Sequence, residues 1–174
     1  MDEPASLSPI ERKRLFGLAA LIFMILASYA VARPATESLF LEANGADALP
    51  RAWLGVGIGS VVIVTLYNRW SASIDLVRMF GFVSGISAGL LALILIAMGS
   101  EIPGTSWALY LWKDLYIVVL IEIFWSFANC TVPKERAKWW YGLFCVLGSL
   151  GGMAGNLGVG WLAAAWSTEQ SLWA

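Results

Sequence analysis

The chain has 174 residues, 59% of them hydrophobic and 13% charged, with a net charge of −1. Soluble domains carry about a quarter charged residues, so this composition lacks the polar coat of a water-soluble protein, and its near-neutral balance argues against a nucleic-acid-binding surface. Histidine is absent, which excludes His-based catalysis and His-ligated metals, and the two cysteines, Cys130 and Cys145, match no metal or redox spacing and read as small apolar filler.

A hydrocarbon core of about 30 Å is crossed by about 20 apolar helical residues, and five segments supply them. They are expected at about 15–32, 52–67, 79–98, 107–128 and 139–166, giving an all-α polytopic bundle between a cytoplasmic segment 1–14 and an outer-side tail 167–174. The first begins with Ser8-Pro9-Ile10-Glu11, a capping box with proline at the first helical position, followed by Arg12, Lys13 and Arg14. Ala30-Val31-Ala32 resembles a signal-peptide cleavage site, but the apolar run before it exceeds an h-region, so a retained span is expected. Pro34 offers a kink and Gly45 a helix end. Pro50 falls in the first turn of the second helix. Pro103-Gly104 separates the third from the fourth, with Thr105 or Ser106 as the expected cap, and Pro133 lies near the start of the fifth.

Lysine and arginine set the orientation. Arg12, Lys13, Arg14, Arg69, Arg78, Lys134, Arg136 and Lys138 fall on one side of this layout and Arg51 alone on the other, so the N-terminus is expected to be cytoplasmic. Tryptophan favours the membrane–water boundary. Trp70, Trp139 and Trp140 are expected at the inner boundary and Trp53, Trp107, Trp112, Trp166 and Trp173 at the outer one. With this topology the sequon Asn129-Cys130-Thr131 lies on the cytoplasmic side, where it would not be glycosylated.

Charges inside the spans carry the functional signal, because each costs at least about 2.5–3.5 kcal/mol near the bilayer centre on insertion scales. Tyr29, Arg33, Thr36 and Glu37 share one stripe of the first helix, and Arg33 can pair with Glu37. That stripe is either a boundary ion pair with Arg33 snorkelling or a cavity wall that meets an anionic solute. On the fourth helix Lys113 and Asp114 can pair with the first, and Glu122, Ser126 and Asn129 recur as a second stripe. Glu122 lies deepest and should face a cavity or carry a proton. Gly81, Gly85 and Gly89 in the third helix and Gly148, Gly151, Gly152 and Gly155 in the fifth are expected to let helices approach closely. No Walker loop or strand-borne GxGxxG is present, and no nucleophile–base pair marks an enzyme.

The stretches Arg33-Pro34-Ala35-Thr36-Glu37-Ser38-Leu39-Phe40-Leu41 and Gly45-Ala46-Asp47-Ala48-Leu49-Pro50 resemble the first helix and loop of the ADP/ATP translocases of plastids and bacteria, remote members of the major facilitator group. Phe124-Trp125-Ser126-Phe127-Ala128-Asn129 and Glu135-Arg136-Ala137-Lys138-Trp139-Trp140-Tyr141-Gly142-Leu143-Phe144 resemble the same family's fourth helix, cytoplasmic loop and fifth helix, and Tyr67 to Phe80 its second loop. The resemblance implies alternating-access exchange of nucleotides by about twelve helices in a bacterial cell membrane, with this chain as an N-terminal fragment that needs a second half or a partner chain. It implies substrate contacts at Arg33 and Asp114; the intramembrane polar residues add Glu37, Lys113, Glu122 and Asn129 as cavity candidates, and no cofactor or metal is expected. Thr36 stands where nucleotide carriers commonly have lysine. Two basic against three acidic cavity candidates suit a cation, or proton coupling to another small solute, as well as ATP. A scaffold that binds another helical protein through its glycine faces is the third reading.

Overall fold

The computed structural model describes residues 8–71 and 75–165, and among them there is no strand. Five long helices follow one another: α1 (Pro9–Asn44), α2 (Leu49–Ser71), α3 (Leu76–Gly99), α4 (Thr105–Thr131) and α5 (Ala137–Ala165), with 3-10 turns at Ala46–Ala48 and Lys134–Arg136. The segments Pro9–Asn44, Ala46–Ser71, Leu76–Gly99 and Lys134–Trp161 are long and apolar enough to cross a membrane. Four such helices make the chain a polytopic α-helical membrane protein. The sequence suggests five spans; α4, which carries Lys113, Asp114 and Glu122, is not among the four. The 167–174 tail, and the boundary positions expected for Trp166 and Trp173, lie outside the described residues.

The position of α4 explains how it accommodates its charges. It packs against α1, α2 and α3, while α5 packs against α1. Seven of the eight largest fully buried side chains among the described residues lie on α1 or α4, Phe144 on α5 being the exception. Lipid is as apolar as leucine, so there is little reason to bury greasy faces between membrane helices. Polar side chains gain far more from protein neighbours, and the helix that carries them takes the centre.

α1 starts as its sequence predicts. The Ser8 N–H donates to Glu11 Oε2 at 2.9 Å and the Glu11 N–H to Ser8 Oγ at 3.2 Å. It also ends as expected, before Gly45, passing through Pro34 and running twelve residues beyond the expected span to Asn44. Thirty-six residues span about 54 Å, well over the thickness of a hydrocarbon core. The extra turns are held by packing, since Ala35, Thr36 and Phe40 are buried and the Phe40 ring meets Trp107 and Tyr110 with centroids 5.0 and 4.5 Å apart. Gly45, at φ 72°, takes a positive-φ conformation that favours glycine and releases the chain, its N–H donating to Leu41 O at 2.9 Å.

The start of α4 departs from expectation. α4 is capped by Gly104 at φ 87° and by no side chain. Thr105 Oγ1 instead donates back to Ile102 O at 3.0 Å, and Ser106 Oγ accepts from Asn44 Nδ2 at 2.9 Å. Asn44 Oδ1 also accepts from Trp107 Nε1 at 2.8 Å, so one amide ties the end of α1 to the start of α4. α3 is capped by Asp75, whose Oδ1 accepts from the N–H groups of Val77 and Arg78 at 3.0 and 3.2 Å.

The glycines divide into two groups. A Cβ on Gly148 would lie 2.8 Å from Leu26 Cδ1, and on Gly151 and Gly155 it would collide with the carbonyl oxygens of Phe23 and Ala27. These three glycines set the close approach of α5 to α1. Gly81, Gly85 and Gly89 meet nothing within 4 Å, nor does Gly152, so the packing role expected of them is not present among the described residues. Two tryptophans expected at the boundaries are covered by protein. Trp140 is packed among Phe16, Trp139 and Phe144, and Trp112 stacks on Tyr116 at 4.7 Å while donating to the Ser87 carbonyl and hydroxyl.

Candidate functional site

The charged residues expected on α1 and α4 meet. Each element presents them by register: Tyr29, Arg33, Thr36 and Glu37 recur at three- and four-residue steps of α1, and α4 places Lys113 and Asp114 opposite them. Arg33 Nε donates to Glu37 Oε1 at 3.0 Å. The same Oε1 lies 3.5 Å from Lys113 Nζ. Lys113 Nζ is 2.9 Å from both carboxylate oxygens of Asp114, and Tyr29 Oη donates to Asp114 Oδ1 at 3.0 Å. The result is a chain of alternating charge, Arg33–Glu37–Lys113–Asp114, closed by a phenol.

Exposure falls from Arg33 to Lys113 and rises again at Asp114. The Arg33 side chain is 56% exposed, Glu37 34%, Asp114 19% and Lys113 2%. Lys113 has exchanged its water shell for two carboxylates and the face of Tyr110, whose ring centroid is 4.1 Å from Nζ. Tyr110 lies three residues before Lys113, so helix spacing alone could have pointed to it. At the open end only Nε of Arg33 is engaged; the rest of its guanidinium fork has no partner among the described residues. That fork suits a carboxylate or a phosphate.

Three predicted residues stand apart from this chain. Thr36 is fully buried and turns its hydroxyl back onto the Arg33 carbonyl at 2.9 Å. Glu122 follows Lys113 by nine residues, which at about 100° per residue places it on the opposite side of α4. Half-buried, its carboxylate has no hydrogen bond or ion pair among the described residues. Asn129 Oδ1 accepts from Tyr141 Oη at 2.7 Å, and Ser126, between them on the stripe, donates to the Glu122 carbonyl and takes a 2.6 Å bond from Tyr67. The stripe expected to act as one surface therefore bonds to α2 at Ser126 and to α5 at Asn129. Among the described residues no three His, Cys, Asp or Glu side chains converge on a metal-sized site.

A cavity of about 850 Å³ lies between α2, α3 and α4, and none of the candidate residues lines it. Compared with known protein families, curated proteins and solved structures, the chain matches none.

Proposed function

We propose that the chain is the N-terminal part of a secondary transporter, that α4 crosses the membrane as a fifth span, and that the α1–α4 charge chain lines the solute path. Lys113 carries this reading: a 2%-exposed ammonium held by two carboxylates inside a membrane bundle. Apolar side chains would join two helices without the desolvation cost of four charges, so a charged joint is expected where charge is used. The half-exposed Arg33 fork favours an anionic solute, and the resemblance to ADP/ATP translocases makes a nucleotide the leading choice. Thr36 removes one cation of that family's pattern, and Lys113, reaching in from α4, supplies another. Large exposed apolar side chains such as Phe82 on α3 and Leu157 on α5 suit lipid or a second helical bundle, the proposed partner. We place the N-terminus in the cytoplasm of a bacterial cell on the lysine and arginine bias.

The test is exchange of labelled ATP into vesicles that hold the full-length protein and are preloaded with ADP. Arg33→Gln is expected to lower uptake about tenfold or more, since a hydrogen bond to a charged group is worth about 1.5–3 kcal/mol. Nucleotide exchange that ignores Arg33, or none in the wild type, would count against the nucleotide reading. Glu122, unpaired and half-buried near the middle of α4, favours a second reading, proton-coupled uptake of another small solute. In that case Glu122→Gln abolishes the response of uptake to an imposed pH gradient, and an unchanged response rejects it.

A further inference from the structure

We infer that the groove between α2, α3 and α4 binds one anionic phospholipid, with its phosphate on Arg78 and an acyl chain along the apolar floor. α2 and α3 each pack on α4 rather than on one another, which leaves a cavity of about 850 Å³ between them. Its floor and walls are apolar, with Leu66 from α2, Phe82, Ile86 and Leu90 from α3, and Leu111 and Leu115 from α4. Two of its polar side chains are already engaged, Tyr67 with Ser126 and Ser87 with Trp112.

Arg78 and Trp70 differ from these. Both line the groove, Trp70 in the last turn of α2 and Arg78 in the first turn of α3, so both sit at the end where the two helices are joined. Neither side chain has a hydrogen bond or ion pair among the described residues. The nearby Asp75 carboxylate accepts from the first-turn N–H groups of α3. One end of the groove thus offers a phosphate-binding fork beside an indole, the combination found at headgroup level, and the remainder offers only hydrocarbon. From Arg78 to Ile94 the groove extends about 24 Å along α3, more than the roughly 15 Å depth of one leaflet, so a whole acyl chain fits. A helix of that length would need about 1,900 Å³, so a further helix could lie over the groove but not in it. This inference is independent of what the protein transports.

The full-length protein should be extracted from vesicles of equal parts phosphatidylcholine and phosphatidylglycerol, and its retained lipid measured by native mass spectrometry. Preferential retention of phosphatidylglycerol is expected, falling about fivefold in Arg78→Gln and unchanged in Arg12→Gln, which alters a basic residue away from the groove. Phosphatidylglycerol with a photoactivatable acyl chain should label α3 between residues 82 and 94, and Ile86→Trp, which narrows the groove, should suppress that label. Equal retention of the two lipids overturns the inference, as does a preference that survives Arg78→Gln. So does an unlabelled α3, which would show that protein covers the groove.

Discussion

Replacing Lys113 by Met should destabilise the folded protein by about 3–5 kcal/mol, the cost of leaving a buried charge pair without one partner. Methionine keeps most of the apolar stem, so the loss isolates the ammonium. Asp114 is then left at 19% exposure with a single phenol as donor, while Glu37 keeps Arg33. The larger share of the effect therefore passes through Asp114. Lys113→Met combined with Asp114→Asn should recover most of the stability, because a neutral amide needs no counter-charge and can still accept from Tyr29. Reversible unfolding in detergent, followed by tryptophan fluorescence over a full double-mutant cycle, measures the coupling. A Lys113→Met variant within about 0.5 kcal/mol of wild type would show that the charges act independently.

The second large effect concerns α1 and α5. Gly151→Ala and Gly155→Ala are each expected to destabilise by about 1–3 kcal/mol, the usual range for overpacking, because the new methyl meets backbone carbonyls that cannot rotate away. Gly85→Ala in α3 meets nothing within 4 Å and should be neutral or stabilising by up to about 1 kcal/mol, from helix propensity alone. The contrast matters more than either value. Equal effects at the two sites would mean that α5 does not pack on α1 as described, or that another element covers α3.

Much of the architecture can be read from local chemistry. The Ser8–Glu11 box, Gly45, Pro50 and the five apolar stretches mark where helices begin and end, since caps and breakers act within a few residues. Pairing of Arg33 with Glu37 follows from a four-residue step in the same way. What escapes is set by which neighbour covers which face. The turns of α1 beyond Pro34 are held by Phe40 packing on Trp107 and Tyr110 of α4, far away in sequence. Trp112 and Trp140 have the composition of boundary anchors and are covered by other helices. Glycines at four-residue spacing look alike in α3 and α5, and of these, among the described residues, only Gly148, Gly151 and Gly155 of α5 have a neighbouring helix against them. Glu122, Ser126 and Asn129 do share a stripe, but its members bond to different helices, and the spacing carries no information about that.

α4 decides the rest. If a helix bearing Lys113, Asp114 and Glu122 crosses the membrane, its two ends lie on opposite sides, and its 27 residues, about 40 Å, are long enough to do so. In a background with Cys130→Ala and Cys145→Ala, single cysteines Ser100→Cys and Lys134→Cys can be probed in intact cells with a membrane-impermeant maleimide. The transporter reading predicts labelling of position 100 from outside, and of position 134 only after the membrane is opened. Labelling of both positions from the same side would contradict it.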